Sequence, residues 1–130
     1  NRFVASFLGD ANFIPGTLRE TVSGKAVVDT PLGAITITTA GPIPAPGAAV
    51  ELALRPEHIR MDAPGGIAMT IEQCLHYGEV EEYTLRHGSL GLRAVVLSGP
   101  APRKPGSQIA VSWNPANVLF FPKGATRDQP

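Results

Sequence analysis

Three histidines, one cysteine and a run of glutamates are the residues of this chain whose types could do chemistry. Cys74 and His76 stand two apart, so on a strand they face the same side. Glu79, Glu81 and Glu82 follow across Gly78. Metal ligation needs such groups to converge on one point. If residues 67–77 and 79–87 form a hairpin turning at Gly78, His87 lies roughly 20 Å from His76, at ~3.3 Å per residue. The two cannot share an ion, and Cys74 with His76 supplies only two ligands, so no metal site is assigned. An acid–base reading of the three glutamates beside His76 is open in principle. A solvated strand end beside a turn explains them as well and is the expectation. There is no Gly-x-Ser-x-Gly elbow for a nucleophile. There is no GxxxxGK[ST] loop to cradle phosphates either: "GDANFIPG" has the glycines but lacks the lysine and the following helix. No catalytic and no cofactor-binding residue is assigned, and Cys74 reads as a small apolar filler on a strand.

The elements that would position these residues are short. The chain has 130 residues, which fits one domain. Fourteen glycines and thirteen prolines disfavour long helices. The hydrophobic fraction of 43% is enough for a core. Eleven basic and eleven acidic residues cancel, so nothing points to a polyanionic partner. Five Phe, two Tyr and one Trp are few for a single-strand platform. Phe13, Trp113, Phe120 and Phe121 sit in core-like patterns, and no nucleic-acid partner is expected. No apolar run approaches the ~18 residues of a membrane helix, and no signal peptide is visible.

Residues 2–8 place Phe3, Val4, Phe7 and Leu8 at helical spacing, with Gly9 as a stop. After Pro15 the period changes to two. Strands are expected over 16–22, 26–30, 34–39, 48–55, 67–77, 79–87, 90–98, 107–113 and 118–121, with proline-rich loops at 40–47 and 99–106 and a connection at 57–66. Along "EVEEYTLRH" the alternation slips between Val80 and Tyr83, and a bulge near Glu81-Glu82 would return Tyr83 to the core face. Ile67, Met69, Ile71 and Leu75 share one face of the preceding strand, with Gln73 an exception. The sequence thus implies an all-β class: an OB-like small β-barrel of about eight strands, since closure removes edges. Residues 1–9 read as a helical remnant of another domain, 10–121 as the β domain and 122–130 as a disordered tail.

The order of motifs is also familiar. "RFVASFLGDANFIPGTL" resembles the junction where the last helix of an ATP-binding-cassette importer ATPase enters its C-terminal TOBE domain. The matching residues are Phe7-Leu8-Gly9, Asn12-Phe13 and Gly16. "ELALRPEHIRM" is similar to the strand of that family ending in Arg55-Pro56-Glu57 with Ile59 after it. "SWNPANVLFF" is similar to its closing strands through Trp113, Pro115, Val118 and Phe121. The resemblance, to the polyamine, ferric-iron and related small-solute importers in particular, implies a regulatory, dimer-stabilising β domain with no catalysis of its own. Its partners would be a second copy, a nucleotide-binding domain and, indirectly, the permease. ATP and magnesium would belong to the nucleotide-binding domain, and the location would be the cytoplasmic face of the membrane. The residues carried over are structural or interdomain: Asn12 at the entry, Gly16 for close backbone approach, Arg55, Pro56 and Glu57 at a strand exit, and Trp113. A small-solute or oxyanion sensor and a nucleic-acid-binding OB-fold are the alternatives.

Overall fold

Alternating apolar residues punctuated by glycine and proline become strands joined by tight turns. They do so in a computed structural model that describes residues 10–39, 42–99 and 103–122. Among the described residues there are ten strands: β1 (Asn12–Val22), β2 (Lys25–Thr30), β3 (Gly33–Thr38), β4 (Ala49–Leu54), β5 (Arg60–Met61), β6 (Ile67–Tyr77), β7 (Val80–His87), β8 (Leu90–Leu97), β9 (Gln108–Ser112) and β10 (Leu119–Pro122). The all-β class of the sequence reading stands, but the count of about eight does not. The two-residue β5 lies inside the stretch read as a connection. β1 begins at Asn12, ahead of Pro15. At Pro15 the strand has only β4 beside it, because β2 joins at Thr17. That is the edge setting in which a missing N–H is tolerated.

The strands form two antiparallel five-stranded sheets, in the orders β10-β4-β1-β2-β3 and β5-β9-β6-β7-β8. Each sheet belongs to its own unit: the chain up to Leu54 with the chain from Asn114 onward, and Arg55–Trp113. The first unit buries Ile14, Leu18, Val28, Ile37, Val50 and Leu52. The second buries Met69, Ile71, Tyr83, Leu85, Leu92 and Val111.

The two strand orders are the same order twice. β1 and β6 both have eleven residues and both slip register once, leaving Arg19 and Glu72 as the extra residues. Just before each slip, the backbone trades two hydrogen bonds with the end of a proline-rich loop. Leu18 does so with Gly47 and Ala48 (2.8 and 3.0 Å), and Ile71 with Gly106 and Ser107 (2.7 and 2.9 Å). Gly47 and Gly106 both sit at φ near +90°, which favours glycine. β4 and β9 then run into matching 3-10 turns, Pro56–His58 and Pro115–Asn117. The strand after each turn joins the other sheet: β5 pairs with β9, and β10 with β4. The chain is therefore one four-strand motif used twice, with the fifth strands exchanged.

Several sequence expectations change here. The bulge falls on β6 at Glu72, not on β7 near Glu81-Glu82. β7 alternates without interruption, and its inward positions are Glu81, Tyr83 and Leu85. The slip also reverses β6: beyond Glu72 the inward side carries Cys74, while Leu75, expected inside, is exposed. Glu81 is 2% exposed, so the solvated strand end read at Glu79–Glu82 is wrong for its middle residue. Trp113 lies past the end of β9 and is half-buried, as are Phe13, Phe120 and Phe121. Pro122 closes β10 and is not part of a tail. The helical remnant at 1–9 and the tail from 123 onward lie outside the described residues.

Candidate functional site

The residues singled out from the sequence are spread over both units. Asn12 opens β1 opposite Leu54 and is 7% exposed. Gly16 is paired with Val50. A Cβ there would meet the Val28 side chain and come 2.9 Å from the Asp29 carbonyl oxygen. Arg55 follows β4, and Pro56 supplies the first position of the 3-10 turn, where its missing N–H costs nothing. Arg55 Nε donates to Glu57 Oε2 at 3.0 Å. Glu57 is held below the usual carboxylate range, first by its own backbone N–H and then by Arg55. Arg55 and Trp113 stand at the two places where the chain passes from one unit to the other. Asn12 and Gly16 thus belong to β1 of the first unit, and Arg55, Pro56, Glu57 and Trp113 to the two ends of the second.

A different set does come together, on the inner side of the β6–β7 hairpin. Cys74 pairs with Tyr83 and His76 with Glu81 across the two strands. Tyr83 is fully buried. Its hydroxyl donates to Glu81 Oε1 at 2.7 Å and accepts from the Arg103 backbone N–H at 3.1 Å. Burial is the main cause that pushes the phenol far above its ordinary range. The Arg103 bond opposes this, and Glu81 and Cys74 add to it. The second carboxyl oxygen, Glu81 Oε2, is buried without a hydrogen-bond partner. The nearest donor atom recorded for it is His76 Nδ1, at 3.6 Å, beyond hydrogen-bond reach. The signal for this cluster was in the sequence: Tyr83 and Leu85 fix the parity of β7, and parity puts Glu81 inside.

The arrangement offers no nucleophile–base pair, and the described residues include no group of three or more His, Cys, Asp or Glu able to hold a metal. Five arginines are already paired with carboxylates: Arg19 with Asp29, Arg55 with Glu57, Arg86 with Glu72, Arg93 with Glu82 and Arg103 with Asp62. The first unit has a groove of about 500 Å³ lined by Thr38, Thr39, Pro42, Val118, Leu119 and Phe120, among others. On the second unit, Leu75, Tyr77 and Leu97 leave an apolar strip on the outer side of the hairpin. No helix among the described residues is long and apolar enough to cross a membrane.

Comparison with known proteins gives a consistent family. The family model described as the TOBE domain matches residues 52–121. The spermidine/putrescine import ATP-binding protein PotA of Rubrobacter xylanophilus is 32% identical over 129 residues, covering 93% of this chain and 34% of that protein. PotA 1 of Pseudomonas aeruginosa is 34% identical over 128 residues, covering 92% of this chain and 34% of that protein. The chain thus spans about a third of the length of these curated relatives. Among solved structures, the cytoplasmic molybdate-binding protein ModG superposes with a TM-score of 0.69 at 14% identity, over 85% of this chain and 94% of that one. At that identity the likeness is one of fold.

Proposed function

We propose, from the premise that this chain belongs to the TOBE domain family, that it is the C-terminal regulatory and pairing domain of the ATP-binding subunit of an ABC importer of the polyamine type. One observation carries the reading: nearly the whole chain aligns with importer subunits of that description while filling a third of their length. In this reading the domain is non-catalytic. ATP and magnesium are bound by a nucleotide-binding domain elsewhere in the subunit. The immediate partners are that domain and a second copy of this one, and the permease holds the assembly at the cytoplasmic face of the membrane. The apolar strip of Leu75, Tyr77 and Leu97 supports a role in which the domain is contacted by protein.

The test is genetic and kinetic. The coding sequence should contain a P-loop roughly two hundred residues upstream, about one domain's length. Loss of the gene should abolish high-affinity uptake of radiolabelled spermidine or putrescine. Unchanged uptake, or an upstream region without a P-loop, overturns the proposal.

An oxyanion sensor is the competing reading, since a structural neighbour binds molybdate by its own description. The five arginine–carboxylate pairs weigh against it, because a guanidinium already matched to a carboxylate has little attraction left for an anion. Calorimetry with molybdate and sulfate should be silent. A gel shift with single-stranded DNA at low salt should be silent too.

A further inference from the structure

The β6–β7 hairpin is two residue pairs longer than its counterpart β1–β2. Beyond the register slip, β1 makes three pairs with β2, ending at Val22 with Lys25, whereas β6 makes five with β7. The pairs without a counterpart are His76 with Glu81 and Tyr77 with Val80. The extension thus introduces the half-exposed imidazole and the buried carboxyl group together, on one face and in register.

A buried acceptor without a donor loses its hydration and gains nothing in return, so Glu81 Oε2 sits at a defect in the sheet. His76 Nδ1 is 3.6 Å away, and the His76 side chain is 54% exposed, free to turn. A neutral imidazole has one N–H, which it can place on Nε2 toward water. An imidazolium carries an N–H on both nitrogens, so Nδ1 then always has a hydrogen to give. A charge-assisted bond is also roughly twice as strong as a neutral one.

We infer that His76 and Glu81 form a proton-operated latch at the end of the β6–β7 hairpin. When the imidazole takes a proton from solvent, Nδ1–H closes the gap and donates to Glu81 Oε2. When it loses the proton, the one remaining N–H can sit on Nε2 toward water, and the hold on Glu81 Oε2 loses both its charge and its assured donor. No other cation competes for the site among the described contacts. Glu81 Oε1 is engaged by Tyr83, and Cys74 lies beside Tyr83 on β6. From β8, the neighbour of Glu81 is the uncharged Val96. Arg103 offers Tyr83 its backbone N–H while its guanidinium pairs with Asp62. Glu82 faces the other way and pairs with Arg93 at 3.6 Å. Glu79 lies in the exposed turn. The latch tightens when the imidazole is protonated and loosens when it is not. Its mechanical output is at the tip, since Leu75 and Tyr77 flank His76 and point to the outer apolar strip. The inference does not depend on which solute is transported.

The experiment is a double-mutant cycle on the full chain: wild type, His76→Gln, Glu81→Gln and both, unfolded by urea at about pH 5.5 and about pH 8. The coupling between the two positions should enlarge the folding equilibrium roughly three- to tenfold more at the lower pH than at the higher. Equal coupling at both pH values, or none at either, overturns the latch. Should Glu81→Gln not fold, the wild type alone decides by NMR of the imidazole nitrogens. At acidic pH the His76 Nδ1 proton should be protected from solvent exchange. Exchange as fast as in a free imidazolium overturns the proposal.

Discussion

The two sheets solve one packing problem with opposite choices. At the first inward pair beyond the register slip, the first unit places Ala26 on β2 beside Ile37 on β3, and the second places Tyr83 on β7 beside Ala94 on β8. All four are essentially inaccessible to solvent. Small then large in one unit becomes large then small in the other. Two inward positions before the slip the units differ again, with Gly16 on β1 where β6 has Met69. The backbone motif holds while side-chain volume moves between strands, because an interior must be filled to constant density whichever strand supplies the atoms. The larger aromatic brings a hydroxyl with it, and the polar cluster of the second unit follows from that choice.

The strongest way to break this comparison is to empty the aromatic position. Tyr83→Ala should cost about 3–5 kcal/mol in urea unfolding, the usual range for a buried aromatic. If the volume exchange is real, Ala94→Ile should recover part of that loss in the double variant, since it recreates the first unit's Ala26–Ile37 pair. A double variant no more stable than Tyr83→Ala alone would mean that the two sheets only look alike.

Gly16 gives the next effect. Its missing Cβ is already replaced by the Val28 side chain, and the Asp29 carbonyl oxygen lies 2.9 Å from where a Cβ would stand. Gly16→Ala should therefore cost toward the upper end of about 1–3 kcal/mol. In the double variant, Val28→Ala should relieve some of this strain. A neutral Gly16→Ala would show that close packing is not what holds β1 against β2.

Much of the backbone was legible in the sequence and the volume exchange was not. Period-two alternation placed the strands; in the gap left between 16–22 and 26–30, Ser23 and Gly24 take the positive φ, 51° and 78°, that a two-residue hairpin needs. The repeat was hidden because few identities survive across it, Gly47 with Gly106 and Pro56 with Pro115 among them, amid mostly different side chains. The bulge was misplaced for a related reason. A break in alternation on one strand of a hairpin can be repaired on either strand, and one sequence does not say which. Gln73 was the visible exception on β6, yet Val80 drew the repair onto β7 because it is apolar. Two buried residues, Tyr83 and Leu85, outweigh one, and Glu81 is carried inside with them. That is how the sequence pointed to the motif residues Asn12, Gly16, Arg55 and Trp113 and passed over the polar cluster of the β6–β7 hairpin.

Tyr83→Phe sharpens the point about polarity. The ring volume stays, while the Arg103 N–H and Glu81 Oε1 both lose their partner. The expected cost is about 1–2 kcal/mol. A cost near zero would indicate that water replaces the hydroxyl and that the cluster does not hold the Arg103 segment to the sheet.

The smallest contrast lies in the two 3-10 turns, which share a backbone and differ in how their first residues are held. Before Pro115, the Asn114 side chain accepts from the Ala116 N–H at 2.9 Å, a true cap. Before Pro56 there is no side-chain cap, and Arg55 instead pairs with Glu57 on the surface. A cap satisfies a backbone donor at every pH, whereas an exposed ion pair is weakened by water and salt. Asn114→Ala should therefore cost about 0.5–1 kcal/mol at any pH. Arg55→Ala should cost about 0–1 kcal/mol and less in high salt. The folded pKa of Glu57 lies below its unfolded value. Its contribution is thus complete above the unfolded pKa and fades as pH drops through the folded one. The gap between wild type and Arg55→Ala should close on acidification, while the gap for Asn114→Ala should not. If both gaps close together, the two turns are held in the same way and the distinction between them fails.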